Sequence, residues 1–190
     1  MSKVRAFVAV HLPPDVVQRV VDVQRALGAG GLRVKWVERE NVHLTVKFLG
    51  DVSYEDVNGI ARVLAGAAAG VEPFFLEVKG TGSFPRGGSP KVIWAGIEGD
   101  VEKLEKIFRH LNDALASFGV PRENRAFSPH VTIGRVKPGA DNSQLLRALE
   151  AHGSDRFGEV KVSEVALMMS ELTSRGPTYT ALSRVRLGGA

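Results

Sequence analysis

The chain has 190 residues, of which 44% are hydrophobic and 24% charged, and it contains no cysteine. This composition is typical of a globular protein with one domain or two small lobes, and it excludes disulfides and thiolate-bound metals. Twenty-five basic against 21 acidic side chains give a formal net charge of +4, which permits a polyanionic partner without requiring one, because the charges form no basic tail.

The first half of the chain predicts alternating strands and helices. Strands are expected where β-branched apolar residues cluster, and helices where apolar residues recur on one face, as after Pro13–Pro14. A Gly-Asp pair is expected to end the third strand, and Ser53 and Asp56 are placed to cap the helix that follows. In chain order, the predicted elements are strand Val4–Val10, helix Pro14–Leu27, strand Val34–Val37, strand Val42–Leu49 and helix Tyr54–Ala69.

The second half repeats this alternation around a glycine-rich loop, Gly80–Gly88, which we interpret as a surface connection. The predicted elements are strand Phe74–Val78, strand Val92–Ile97, helix Val101–Phe118, strand His130–Val136, helix Ser143–His152 and a final strand pair, Val160–Met169 and Tyr179–Leu187. The alternation is too irregular for a doubly wound parallel sheet, so we predict an α+β fold. No linker interrupts the chain, and we expect one domain over residues 1–190 built from two similar lobes that face each other across a groove.

No stretch approaches the roughly 18 apolar residues of a membrane span. The apolar run that follows Lys3 is short and is broken by prolines without a small-residue cleavage site, so we predict no signal peptide. We therefore expect a cytoplasmic protein without a membrane partner.

The feature that points to function is a repeated tetrapeptide, "HLTV" at His43–Val46 and "HVTI" at His130–Ile133. The chain has only five histidines and six threonines, so chance rarely produces this pattern twice. Because strand side chains alternate, the histidine and threonine of each copy share one face while the apolar residues anchor the other. Two such strands side by side would place two imidazoles and two hydroxyls around one tetrahedral anion.

Other uses of these histidines find less support. A zinc site needs three or four ligands, and here the residue two positions after each motif histidine is a threonine, a poor ligand. The motifs of serine hydrolases, P-loops and dinucleotide-binding folds are absent. Two half-buried strand histidines without chemistry remain the alternative. His11, His110 and His152 are assigned no chemistry.

These motifs and their surroundings resemble the 2H phosphoesterases, and among them the RNA 2′,3′-cyclic phosphodiesterases, also called the 2′-5′ RNA ligase family. The resemblance covers nearly the whole chain and is carried by "RAFVAVHLP", "VKWVERENVHLTVKFLGDV", "GSFPRGGSPKVIWAGI", "FSPHVTIGRVK" and "SELTSRGPTYTAL". It implies two lobes of antiparallel sheet related by a pseudo-twofold axis, with helices outside and the active site in the central groove. It also implies metal-independent hydrolysis of RNA 2′,3′-cyclic phosphate ends to 2′-phosphates, without a cofactor.

By the same resemblance, His43 is the general acid for the leaving 3′-oxygen and His130 the base for water, while Thr45 and Thr132 bind phosphate oxygens. Histidine suits both proton transfers because its ordinary pKa is about 6.5. Matching family positions imply that Phe48 stacks on the terminal base and that Arg135 binds phosphate, although strict alternation places both on the face opposite the histidines.

Lys47 is a further predicted substrate-binding residue. It belongs to a set of basic residues that are candidates to line a groove for long RNA: Lys35, Lys47, Arg86, Lys91, Arg122, Arg125 and Arg135. We expect a monomer whose partners are RNAs with cyclic phosphate ends, tRNA fragments among them. Two alternatives stay open: 2′-5′ RNA ligation by the reverse reaction, and hydrolysis of a small cyclic nucleotide phosphate.

Overall fold

The computed structural model describes residues 2–174 and 176–188. Within them, nine strands form one antiparallel sheet in the order β7-β4-β5-β6-β3-β1-β8-β9, with β2 paired to β6 beyond the start of β3. The strands are β1 (Lys3–Val10), β2 (Val34–Trp36), β3 (Leu44–Ser53), β4 (Phe74–Phe84), β5 (Val92–Gly99), β6 (His130–Val136), β7 (Arg156–Val162), β8 (Glu164–Thr173) and β9 (Gly176–Arg186).

Four α-helices in the described part of the chain cover one face of this sheet: α1 (Pro14–Gly28), α2 (Val57–Ala69), α3 (Val101–Ala114) and α4 (Asn142–Ala151). Helices α1 and α4 pack on the half that contains β4, β6 and β7, whereas α2 and α3 pack on the half that contains β3, β8 and β9. The apolar stripes of the helices and the inward side chains of the strands form the main core. The α+β class and the antiparallel sheet are therefore confirmed.

On the opposite face of the sheet, no helix lies among the described residues, and we call it the open face. A second, smaller apolar cluster lies on it, made of Phe7, Ala9, Ala166 and Met168. The two halves of the sheet meet at β3 and β6, which share a single backbone pair, Leu44 with Val131. The two motif strands thus lie side by side at the centre of the sheet, with three strands beyond each of them. The pseudo-twofold relation between the halves stays a prediction.

Three predicted boundaries are wrong for identifiable reasons. β3 does not stop at the Gly-Asp pair, because Gly50 adopts φ +73° and pairs with Ala6. β4 runs through the first part of the predicted glycine loop, and Gly80 (φ +73°) lies at an irregularity in its pairing where a Cβ would stand 2.5 Å from the Gly153 carbonyl oxygen. The predicted strand Val160–Met169 is two strands, which turn at Ser163 toward opposite edges of the sheet.

The predicted helix caps are also corrected. A short 3₁₀ turn, Tyr54–Asp56, precedes α2, and neither Ser53 nor Asp56 caps the backbone through its side chain. The Ser53 hydroxyl is buried without a hydrogen-bond partner. The domain limits predicted at residues 1 and 190 lie outside the described residues. Within those residues, no helix is long and apolar enough to cross a membrane.

Candidate active site

His43 lies between a 3₁₀ turn (Arg39–Asn41) and the start of β3, with its ring on the open face. Its Nδ1 is 2.7 Å from the carbonyl oxygen of Asn41. A carbonyl can only accept, so Nδ1 carries a proton and the neutral ring has its lone pair on Nε2. Nε2 is 2.8 Å from Thr45 Oγ1, whose hydroxyl donates to it. The local backbone therefore fixes which nitrogen is available for proton transfer.

His130, the first residue of β6, is held in the same way. Its Nδ1 is 2.8 Å from the carbonyl oxygen of Ser128, again two residues upstream. Nδ1–H donates to that carbonyl, which leaves Nε2 as the proton-transferring atom. The repeated tetrapeptide thus gives the same tautomer and the same presented nitrogen in both halves of the chain.

The pairing of β3 with β6 brings the two motifs together. Extending the Leu44–Val131 register by one residue places His43 opposite Thr132 and Thr45 opposite His130. In a regular ladder, facing residues are about 5 Å apart and diagonal ones about 7–8 Å. The four predicted residues therefore form one compact group of two imidazoles and two hydroxyls on the open face.

Aromatic side chains that sequence reasoning missed hold the two imidazoles. The ring centroids of Phe7 and Tyr179 lie 5.0 and 5.3 Å from that of His43, Tyr179 edge-on at 89°. Phe84 meets His130 edge-on at 5.0 Å and leans on Trp94 at 5.4 Å. These residues come from β1, β9, β4 and β5, so no local pattern could assign them to the site. The only available signal was their presence in the segments that resemble the family.

β-Bulges in both motif strands, two in β3 and one in β6, change which side chains reach the open face. In β3 the pairing with β1 skips Val46 and Leu49, so that Ala9 pairs with Thr45 and Phe7 with Phe48. Phe48 is therefore on the histidine face, 64% exposed and 6.2 Å from the Phe7 ring. The expectation that it lies on the opposite face is wrong, because alternation fails at an inserted residue.

The bulge in β6 does the same for Arg135. The pairing of β6 with β5 skips Ile133, so Thr132 and Arg135 pair with Trp94 and Val92 respectively, and both face outward. Arg135 is exposed. Burial raises the pKa of Tyr179, while the charges of Arg135 and Arg5 act against this rise. Arg135 is thus close enough to act on a residue that contacts His43.

Lys47 is the predicted substrate-binding residue that the structure does not bring to the open face. The bulge turns it to the helical side, where it is 2% exposed. Its Nζ donates to Asn112 Oδ1 at 3.0 Å, to Glu123 Oε1 at 2.9 Å and to the Pro121 carbonyl at 3.4 Å. All three donors are occupied inside the protein, so a contact with substrate is not available to this ammonium.

Of the other basic candidates, only Lys35 joins the site. It pairs with Arg135 across β2 and β6, so both side chains project from the open face. Arg122 forms an ion pair with Asp113 at 3.6 Å, next to α3. Arg86, Lys91 and Arg125 are exposed, and nothing places them beside the histidines.

Burial lowers the pKa of His43, partly offset by its hydrogen bond to the Asn41 carbonyl. The free site therefore favours neutral His43. Within the described residues, no group of three or more histidines, aspartates or glutamates is arranged to hold a metal ion. Two surface cavities of about 480 and 500 Å³ are lined by other residues, around Trp36 and Arg156. The two histidines lie instead on an open sheet surface, which suits the end of a large substrate.

Comparison with known proteins identifies the family of the chain. The sequence model of the 2′-5′ RNA ligase superfamily matches residues 10–173. An RNA 2′,3′-cyclic phosphodiesterase of Methanothermobacter thermautotrophicus is 37% identical over 97% of the chain and 100% of its own length. The enzyme of the same name from Aquifex aeolicus is 33% identical over the full length of both chains.

Solved structures share the fold. A crystal structure from Thermus thermophilus superimposes with a TM-score of 0.81 at 30% identity, covering 97% of this chain and 98% of that one. Escherichia coli LigT in complex with 3′-AMP gives a TM-score of 0.78 at 24% identity, covering 98% and 99%. At that identity, the second likeness supports the fold alone.

Proposed function

The chain belongs to the 2′-5′ RNA ligase superfamily, and from this premise we propose that it hydrolyses 2′,3′-cyclic phosphate ends of RNA to 2′-phosphates without a metal ion. The observation that carries the proposal is the pair of H-x-T-x motifs on adjacent strands, each with its imidazole anchored through Nδ1, which leaves Nε2 as the nitrogen that can accept or release a proton. Such a pair supplies one base and one acid on opposite sides of a phosphorus atom.

In the proposed reaction, His130 Nε2 accepts a proton from water while the water oxygen attacks phosphorus. The bond between phosphorus and the 3′-oxygen breaks, and His43 Nε2 gives its proton to that oxygen. The products are a 2′-phosphomonoester and a free 3′-hydroxyl. One proton has passed from water to His130, and one has passed from His43 to the 3′-oxygen. When His43 Nε2 carries its proton, the Thr45 hydroxyl no longer donates to it. The Thr45 and Thr132 hydroxyls then donate to the non-bridging oxygens, where negative charge accumulates.

The pKa of His43 links substrate binding to the protonation state that the mechanism requires. Burial lowers its pKa in the free protein, yet the acid role requires the protonated ring. A phosphate anion bound against Nε2 favours the imidazolium, since an opposite charge nearby stabilises the charged form. Substrate binding would thus promote protonation of His43 Nε2, which then gives this proton to the leaving oxygen.

RNA is favoured over a small cyclic nucleotide by the Lys35–Arg135 pair. Like charges directly opposite each other on neighbouring strands are destabilising, and within the described residues neither side chain has a carboxylate in ion-pair contact. A phosphodiester chain that leaves the site along β6 would neutralise both cations. Arg135 lies two ladder positions beyond Thr132, about 7 Å along the strand, so the pair would meet a phosphate next to the terminal nucleotide.

The test uses a short RNA that ends in a 2′,3′-cyclic phosphate and, beside it, a cyclic mononucleotide. We expect conversion of the RNA to a product with a phosphatase-sensitive 2′-phosphate, and a kcat/KM higher for RNA than for the mononucleotide. A 3′-phosphate product would contradict the assigned leaving group. Joining to an added 5′-hydroxyl RNA in preference to hydrolysis would favour the ligase alternative, and faster turnover of the mononucleotide would favour a small substrate.

Lys35→Gln tests the RNA part of the proposal, with Lys161→Gln as its control on the far edge strand β7. The first variant should lose about 3- to 10-fold in kcat/KM on RNA. The slope of log kcat/KM against log salt concentration should become shallower by about one. The second should change neither. We further propose that the enzyme acts as a monomer in the cytoplasm and that tRNA fragments are among its substrates.

A further inference from the structure

A third histidine, His11, lies next to the catalytic pair. It follows β1, whose pairing with β3 matches Ala9 with Thr45 and Val10 with Leu44. The next step of that register places His11 opposite His43. Arg5, Phe7, Ala9 and His11 alternate along β1, so the His11 side chain projects from the same open face as the Phe7 ring that contacts His43.

A charged row continues on the other side of His11. The pairing of β1 with β8 matches Ala9 with Ala166, and extending it by two residues places His11 opposite Glu164. Glu164 Oε1 accepts from Arg184 Nη1 at 2.9 Å. His11 therefore stands between an imidazole on one neighbouring strand and an ion pair on the other.

We propose that His11 is an electrostatic partner of His43: the two imidazoles titrate as a coupled pair in which a proton on one disfavours a proton on the other. Facing residues on adjacent strands are about 5 Å apart, and two like charges at that range compete for protonation. His11 lies outside both motifs, and its effect on catalysis, unlike the coupling itself, rests on the proposed function.

Charged groups of both signs surround the pair, and their effects on it oppose one another. Burial, and after it the cation of Arg184, lower the pKa of His11, while Glu164 acts in the opposite direction. His11 in turn adds to the lowering of the pKa of His43, behind the larger effect of burial. Asp15, in the first turn of α1, faces its own helix, 3.7 Å from Arg19. Arg186, opposite Glu164 in the β8–β9 ladder, adds a second positive charge beside Arg184.

The coupling affects the pH range in which His43 carries the proton that it needs as the acid. A proton on His11 makes protonation of His43 harder, so His11 narrows the pH range in which free enzyme carries the charged form of His43. Replacing His11 with an uncharged residue should raise the pKa of His43, and replacing it with a carboxylate should raise it further.

The test is an NMR titration of the histidine rings in the free protein, which does not depend on activity. His11→Asn should raise the pKa of His43 by about 0.5 unit, and His11→Asp by about 1 unit. By reciprocity, His43→Gln should raise the pKa of His11 by a shift similar to that caused by His11→Asn. His110→Asn, an exposed histidine on α3, is the matched control and should leave the titration of His43 unchanged.

The same variants extend the test to catalysis. In His11→Asn, the alkaline limb of kcat/KM should move to higher pH by the shift seen for the His43 ring. A His43 titration that is identical in wild type, His11→Asn and His11→Asp, or that moves to lower pH, would overturn the coupling. A moved titration without cyclic-phosphate turnover would instead overturn the proposed function and leave the coupling standing.

Discussion

Exchange of Lys47 for methionine should destabilise the protein less than removal of Glu123, the carboxylate with which it pairs. The side chain of Lys47 is 0% exposed, whereas that of Glu123 is 49% exposed. Each change removes one partner of the same ion pair. The difference in unfolding free energy between the two variants therefore reports the cost of leaving the buried ammonium without its carboxylate.

Their magnitudes follow from what each change leaves behind. Glu123→Ala leaves the fully buried ammonium of Lys47 with two neutral acceptors, Asn112 and Pro121. Removing one partner of a buried pair costs about 3–5 kcal/mol, and we expect about 2–3 kcal/mol because two acceptors remain. Lys47→Met fills the same volume, Glu123 turns to water, and Asn112 Oδ1 still accepts from the Glu123 backbone N–H at 2.8 Å, so we expect a loss of about 1 kcal/mol or less.

The assay is urea unfolding of wild type and both variants, with kcat/KM measured on the cyclic-phosphate RNA at a temperature where all three are folded. We expect equal m-values and a stability gap of about 1–2 kcal/mol between the variants, or roughly 4 °C in Tm. Lys47→Met should keep kcat/KM within about twofold of wild type. A loss of more than tenfold in activity with unchanged stability would refute the reasoning and restore Lys47 as a substrate-binding residue.

Four further outcomes are expected. Thr45→Val and Thr132→Val should each lower kcat by about 10²-fold, since each removes one hydroxyl donor to the charged phosphate; unchanged rates would remove the threonines from the site. Phe48→Ala should weaken RNA binding by about 1–3 kcal/mol if a base stacks on it, measured as a rise in KM with little change in kcat. Activity should be complete in EDTA, and a loss that a divalent ion restores would point to a metal-dependent reaction. Because burial lowers the pKa of His43 and bound phosphate raises it, the alkaline limb of kcat/KM should lie at lower pH than that of kcat; the reverse order would contradict its role as the acid.

The two catalytic candidates could be predicted from sequence because the signal was local and repeated. Each H-x-T-x unit anchors its imidazole through the carbonyl two residues upstream, and in the first unit the threonine two residues downstream also donates to the ring. Period-two alternation then correctly placed Leu44 and Val131 in the core. Features that depend on a few consecutive residues were therefore within reach of the sequence.

What lay beyond the sequence depends on pairing between distant strands. A single inserted residue at Val46 or Ile133 reverses the direction of the side chains that follow it, in β3 until the second insertion at Leu49. No residue type at those positions distinguishes a bulge from a regular strand. This is why strict alternation placed Lys47 on the histidine face and Phe48 on the opposite one, although the family resemblance implied that Phe48 stacks on the terminal base. Tyr179 reaches His43 only through the strand order β3-β1-β8-β9, which no periodicity reveals.

The most direct test of the two-histidine mechanism is the single-turnover rate of cyclic-phosphate hydrolysis in His43→Ala and His130→Ala, with His110→Ala as control and circular dichroism to verify the fold. Each motif variant should lose at least about 10²-fold, since each removes one proton transfer from the reaction, while the control should match wild type. A folded His43→Ala or His130→Ala protein that opens the cyclic phosphate at a near-normal rate would contradict the mechanism.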